Sequence, residues 1–328
     1  MVNQNNSFIS TDEKRLVSII IPAFNEEENI PLVRKELLSV INHLPYGFEF
    51  IFVDNNSTDR TAELVKEICA EDRRWKYIRF SRNFTTEMSI TAGYHFAHGN
   101  AIIVLYSDLQ DPPEVIPRFL EKWEEGYDIV YGVRTVRPGE PKWRNFVIKC
   151  VYKLIAWFSD VPIPVNAGDF RLISRQVRDA LGQCPEYNRY MRGLIAWLGF
   201  NQIGVEYERR PRVAGQSKAP FWDLVLFTLG AISSFSLKPL RIFTFMGFSI
   251  LAICSVALPV YVSGYFWGSP PKGTTTIIGL LIIGIGLNSL GIGILGEYLG
   301  RTYVEVKRRP LYLIKETMNI NTEKKAHV

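Results

Sequence analysis

The sequence predicts an α/β fold with a mainly parallel sheet, followed by interfacial helices and a two-helix transmembrane hairpin. Short apolar runs alternate with amphipathic stretches as far as residue 133, and one apolar run ends in acidic and amide oxygens at 106–113. Two charge-free stretches of membrane length follow residue 243. Strands that alternate with helices give a parallel sheet covered on both faces.

Residues 16–22 read as the first buried strand, and Asn25 as the cap of a helix. Its first turn carries Glu26, Glu27 and Glu28, suited to the positive end of the helix dipole. Residues 48–53 form a second strand ending at Asp54, and apolar spacing at Ala62, Leu64, Val65 and Ile68 marks a helix over 59–71. A strand over 77–80, a helix over 87–97, a central strand over 101–105 and a strand over 128–133 continue the alternation. Residues 134–142, with Pro138, Gly139 and Pro141, read as a flexible basic loop, 143–158 as an amphipathic helix and 202–210 as a late strand.

The central strand runs into Tyr106, Ser107, Asp108, Leu109, Gln110, Asp111, Pro112 and Pro113. Hard cations take oxygen ligands, usually one or two carboxylates together with substrate phosphates. Such oxygens at the carboxyl end of a central strand point to a metal–diphosphate site. Asp108 and Gln110 are its candidate ligands for Mg²⁺ or Mn²⁺. An Asp-Pro turn that merely closes a strand is the alternative.

At 328 residues the chain can hold one large or two modest domains. Its net charge is +5, and basic residues crowd Arg209, Arg210, Arg212, Lys218, Lys238, Arg241, Arg301, Lys307, Arg308 and Arg309. Most of these flank apolar segments, which favours anionic headgroups or a phosphorylated substrate over nucleic acid. Cys69, Cys150, Cys184 and Cys254 share no spacing typical of a zinc site or a disulfide framework. The polar stretch 1–15 lacks the apolar core of a signal peptide, so the N-terminal part is expected in the cytosol.

Residues 244–266 and 274–296 carry no charge, and a helix needs about 20 residues to cross the hydrocarbon core. The short link 268–273 makes the pair a hairpin, and the flanking basic residues place both termini in the cytosol. Gly284, Gly286, Gly291 and Gly293 permit close helix contact within the chain or between subunits, so a homo-oligomer is compatible with the sequence. Asp223, Ser233, Ser234 and Ser236 interrupt 221–237, which reads as interfacial helices, with a third span as the alternative. The expected plan is a flexible 1–15, a catalytic domain over 16–220, interfacial helices over 221–242, two spans within 243–300 and a basic cytosolic tail from 301.

The runs VSIIIPAFNE at 17–26, VDNNSTD at 53–59 and SDLQDPP at 107–113 resemble family 2 glycosyltransferases of the Rossmann-like GT-A fold. With its two C-terminal spans, the chain is similar to the polyisoprenyl-phosphate glycosyltransferases, which include dolichol-phosphate mannose synthases and bactoprenol glucosyltransferases. The resemblance implies a nucleotide sugar as donor and a polyprenyl phosphate as acceptor. It assigns Pro22, Ala23, Glu26, Asp54, Arg82, Ser107 and Asp108 to the nucleotide sugar. For Asp54 a role confined to its own loop is the alternative, for Glu26 helix capping, and for Arg82 an ordinary surface position.

NAGDFR at 166–171 resembles the family's sugar-pocket segment. Asp169 there is expected to orient a sugar hydroxyl or the acceptor, with base catalysis second and a simple pairing with Arg171 third. A lipid phosphate is largely dianionic at neutral pH and needs no strong base. Cations should hold it, and Arg134, Arg137, Arg212 and Lys218 are the candidates. Three positions depart from the family pattern: Tyr106 stands at a usual Asp, Thr85 at a Gly and Ala219 at an aromatic.

The expected activity is inverting, metal-dependent transfer of a hexose, with UDP-glucose the leading donor and GDP-mannose or UDP-aminoarabinose its rivals. A processive polysaccharide synthase would carry more spans and a Gln-x-x-Arg-Trp motif. An inactive membrane scaffold is the reading that Tyr106 favours.

Overall fold

The structure, a computed structural model, describes residues 15–135, 167–210, 238–266 and 273–320. Among them, two long helices make one compact unit and all other elements make a second.

In the larger unit, β1 (Leu16–Ala23), β2 (Gly47–Asp54), β3 (Trp75–Phe80) and β4 (Ala101–Val104) alternate with α1 (Ile30–Ile41), α2 (Thr61–Glu71) and α3 (Thr86–Phe96). Then come α4 (Ile116–Glu124), β5 (Ile129–Arg134), β6 (Ala167–Ser174), α5 (Arg175–Gly182), α6 (Met191–Trp197) and β7 (Gln202–Tyr207). The smaller unit holds α7 (Lys238–Phe266) and α8 (Thr274–Lys307), after which β8 (Ile314–Met318) belongs to the larger unit again. The eight strands form one sheet in the order β7-β5-β6-β4-β1-β2-β3-β8. β1 pairs in parallel with β2 and β4, β2 with β3, and β5 with β7, whereas β6 runs antiparallel to β4 and β5, and β8 to β3.

Parallel strands buried on both faces read as unbroken β-branched and aromatic runs, as LVSIIIPA and GFEFIFVD do. Ile19, Ile21, Phe50, Phe52 and Trp75 make one face, closed by Val33 and Leu37 of α1, Val65 and Ile68 of α2 and Phe119 of α4. The rings of Phe50 and Trp75 stack with centroids 4.0 Å apart. On the other face α3 crosses β1 at Gly93, where a Cβ would lie 2.2 Å from Ile20 Cγ2.

That second face also buries a carboxylate. Glu49 accepts from Ser18 Oγ, Lys76 Nζ and the backbone N–H of His98. Burial alone would raise its pKa, but the Lys76 ion pair and the two further donors outweigh burial and lower it.

Several expectations change. Asn25 does not cap α1: its φ is +55°, and its side chain instead accepts from Thr58 N–H. The helix begins at Ile30, with Asn29 as N-cap and a proline in its first turn, where φ is already set for a helix. Arg134 belongs to β5 rather than to a loop, because β5 pairs with β7 through Arg134 and Tyr207. α7 starts at Lys238, inside the stretch expected to be interfacial, and α8 continues to Lys307. Part of the expected tail is β8, which covers the edge of β3 and is fixed by Lys66–Glu316 and by Asn319 Nδ2 donating to the carbonyls of Cys69 and Trp75. The segments 143–158 and 221–237, and 268–272 of the link, lie outside the described residues.

Among the described residues, one segment, Ile283–Lys307 in α8, is long and apolar enough to cross a membrane. In α7, Phe245 and Phe248 are 70% and 65% exposed. The Phe243 ring packs on Gly291 of α8, where a Cβ would lie 2.3 Å from it.

Glu49→Gln should lower stability near pH 7 by about 1–3 kcal/mol, the cost of weakening a buried charge-assisted network. A depressed carboxylate pKa contributes above the unfolded value and is lost as pH falls through the folded one. The difference between wild type and variant in chemical denaturation should therefore shrink below about pH 4.5, the ordinary glutamate value.

Candidate active site

The pairing of β1 with β4 brings two loops together. Leu105 N–H donates to the Ile20 carbonyl at 2.9 Å, Ser107 Oγ to the Pro22 carbonyl at 3.2 Å, and Asn55 N–H to the Ala23 carbonyl at 2.9 Å. Between them lies a cavity of about 210 Å³. Pro22, Ala23, Glu26, Ser107 and Asp108 all line it, joined by Phe24, Asn55, Tyr106 and, from the start of α3, Thr86 and Ser89.

Two of the nucleotide-sugar candidates do not line this cavity. Asp54 is buried, and its carboxylate accepts from Ser57 N–H at 2.7 Å and Tyr77 Oη at 2.9 Å, with Arg79 Nε 3.5 Å away. Its neighbour Asn55 reaches the wall instead. Arg82 is exposed, and its guanidinium lies over the Phe84 ring at 3.9 Å.

Asp108 Oδ1 accepts from Gln110 N–H at 3.2 Å across Leu109, whose φ is +51°. Gln110 is half-buried and does not line the cavity. Among the described residues no group of three His, Cys, Asp or Glu side chains could hold a metal. Asp108 offers one carboxylate at the cavity wall, and hard cations such as Mg²⁺ take one or two protein carboxylates with substrate phosphates and water.

Beside the cavity, Asp169 on β6 accepts two bonds from Arg192, Nε at 2.9 Å and Nη2 at 2.7 Å. The Tyr106 hydroxyl donates to Asp169 Oδ2 at 3.1 Å. The partner of Asp169 is thus Arg192 and not Arg171, whose Nη2 donates to the Gly168 carbonyl. Burial would raise the pKa of Asp169, but Arg192, with Arg171 and Tyr106 behind it, holds the carboxyl well below the usual range.

Glu87 shows the opposite behaviour. It accepts from Met191 N–H, while its Oε2 is buried with no hydrogen-bond partner. Burial first, and then the negative charge of Asp169, push its pKa up to about 8 against the pull of Arg192 and Arg171.

A third cluster centres on buried Asp111, which accepts from Tyr207 Oη and pairs with Arg134 Nη2 at 3.4 Å and Arg209 Nε at 3.9 Å. Arg134 is therefore held inside the fold. The Arg209 Nε has no hydrogen-bond partner, and burial together with Arg134 lowers its pKa. Arg137, Arg212, Lys218 and Ala219 lie outside the described residues.

Residues 18–182 match the family described as Glycosyl transferase family 2. The chain is 41% identical over 311 residues to an uncharacterized glycosyltransferase of Synechocystis, covering 92% of this chain and 95% of that one. The chain belongs to glycosyltransferase family 2. This family 2 enzyme is also 38% identical over 303 residues to the SfII prophage-derived bactoprenol glucosyl transferase of Shigella flexneri, covering 92% and 98% of the two chains. Among solved structures it is similar to glucosyl-3-phosphoglycerate synthase from Mycobacterium tuberculosis, crystallised with Mn²⁺, UDP and phosphoglyceric acid. There the TM-score is 0.47 at 20% identity, over 67% of this chain and 76% of that one.

Sequence reasoning missed Glu87, Arg192 and Arg209 in this glycosyltransferase. Arg209 had one signal, its place in a basic run beside the late strand; the other two stand in unremarkable helical sequence. A carboxyl with a raised folded pKa binds its proton in the native state while the unfolded chain releases it, so stability falls as pH rises from about 4.5 to about 8. Glu87→Gln should remove that loss. Its melting temperature should exceed that of the wild type, by a margin that grows across this window and then levels off.

Proposed function

We propose that this glycosyltransferase moves a hexose, glucose from UDP-glucose first among donors, onto a polyprenyl phosphate at the cytosolic face of a membrane. The observation that carries the reading is the single cavity at the ends of β1 and β4, walled by Pro22, Glu26, Ser107 and Asp108, in a chain 38% identical over most of its length to bactoprenol glucosyl transferases. Embedding of α7 and α8 as a two-helix hairpin is supported by the apolar length of Ile283–Lys307 and the outward Phe245, Phe248, Ile253 and Val256. Basic residues at the start of α7 and the end of α8 favour a cytosolic location for both termini. Subunit association through the glycine-bearing α8 is compatible with this arrangement.

The loops after β1 and β4 would receive the nucleotide and its diphosphate. Asp108, with Gln110 beside it, would hold Mg²⁺ or Mn²⁺, which supplies Lewis-acid neutralisation of the charge growing on the leaving diphosphate. Arg134 and Arg209 pair with the carboxylate of Asp111, and Arg209 also feels the charge of Asp108, so two guanidiniums stand near the residues proposed to receive the diphosphate.

The acceptor's second pKa is near 6, so its attacking oxygen carries no proton at neutral pH. A phosphate oxygen bonds to the anomeric carbon, the bond from that carbon to the diphosphate breaks with its electron pair on the diphosphate, and the configuration inverts. Asp169, held ionised by Arg192, is a poor proton acceptor and a good hydroxyl acceptor. This favours orientation of the sugar over base catalysis.

The test uses full-length protein in nanodiscs with Mn²⁺ or Mg²⁺, labelled sugar nucleotide and polyprenyl phosphate. A labelled lipid should form, and Asp108→Ala should slow its formation by about 10²-fold or more, the scale of losing one electrostatic stabiliser. Absence of labelled lipid with UDP-glucose, GDP-mannose and UDP-aminoarabinose would reject the reading, and a labelled polymer would replace it with a processive synthase.

A further inference from the structure

Tyr106 joins two parts of the site, the cavity and the Asp169–Arg192 pair. It lines the cavity next to Ser107 and Asp108, and its hydroxyl donates to Asp169 Oδ2 at 3.1 Å. An ionised carboxylate offers about four acceptor positions. Arg192 fills two of those on Asp169 and Tyr106 a third. The fourth takes no hydrogen bond from a described side chain, and Asp169 itself is buried one layer behind the cavity-lining Tyr106.

We propose that Tyr106 is a positioning residue for the transferred sugar, setting the Asp169 carboxylate so that its remaining acceptor position takes a sugar hydroxyl of the donor. This rests on the assignment of the cavity to a sugar nucleotide. The phenol suits the task for a steric reason too. Its ring spans the gap from the cavity wall to β6, which the shorter aspartate of related sequences would leave open, and it adds no negative charge beside Asp108. The departure that favoured an inactive scaffold becomes a specificity device.

Tyr106→Phe keeps the ring and removes the single donor, leaving Asp169 paired with Arg192. UDP affinity, measured by calorimetry, should stay within about twofold of the wild type. UDP-glucose should lose about tenfold in affinity relative to UDP, and kcat for lipid glycosylation should fall about tenfold, the effect of one charge-assisted hydrogen bond. In the Asp169→Asn background, Tyr106→Phe should add little, because the two changes remove one interaction.

Equal loss of UDP and UDP-glucose binding, or additive effects of the two substitutions, would reduce Tyr106 to a packing residue and overturn the proposal. An unchanged Tyr106→Phe in an active wild-type background would overturn it while leaving the functional reading intact. A wild-type chain that binds neither UDP nor UDP-glucose would overturn both.

Discussion

The parallel register of β1 with β4, Ile20 beside Val104, is the constraint on which the candidate site depends. Each strand delivers its following loop to the same end of the sheet, where backbone groups run out of strand partners. Ser107 Oγ and Asn55 N–H then bind the carbonyls of Pro22 and Ala23, so the loops are fixed to one another as well as to their strands. A one-residue slip would exchange the side chains of β1 that meet α1 and α2 with those that meet α3, and carry Pro22 and Ala23 away from Ser107. The core of Ile19, Ile21, Phe50, Phe52 and Trp75 against α1 and α2 opposes that slip. Packing far from the cavity therefore sets the distances within it.

Charge placement follows the same economy. Arg192 and Arg171 face both Asp169 and Glu87, yet the two carboxyls are driven in opposite directions. Asp169 receives two direct bonds from Arg192, and these outweigh its burial. Glu87 has a single backbone donor, so desolvation and the charge of Asp169 prevail. Two acids in one neighbourhood thus keep different protonation states near neutral pH, and the ionised one abuts the cavity-lining Tyr106.

Much of this was legible from sequence where the signal was local. Unbroken β-branched runs marked β1, β2 and β4, and the family resemblance of the segments that follow β1 and β4 pointed to five residues that line the cavity. The reading failed where pairing is long-range. Arg134 sits among prolines, glycine and basic residues, a loop composition, but Tyr207 and Asp111, remote in the chain, draw it into β5 and the interior. β8, KETM with its leading Ile314, is too short and polar to announce a strand, and only the open edge of β3 makes it one. Asp54 accepts from Ser57 and Tyr77 beside Arg79, and its neighbour Asn55, which the motif did not single out, lines the cavity.

The smaller unit follows different physics. In water, side chains such as Phe245, Phe248, Ile285 and Ile292 on α7 and α8 would each forfeit about 25 cal/mol for every Å² left exposed. In the proposed lipid surround that cost would vanish, and so would the hydrophobic drive that presses the two helices together. Their association then depends on shape. Gly291 supplies it by letting the Phe243 ring approach where any Cβ would collide, the small-residue contact expected between helices in lipid. At Gly284, Gly286 and Gly293 no described side chain comes within 4 Å of where a Cβ would stand, so these are further close-approach positions on α8. An apolar exterior and a glycine-dependent contact suit the bilayer embedding proposed above for these helices.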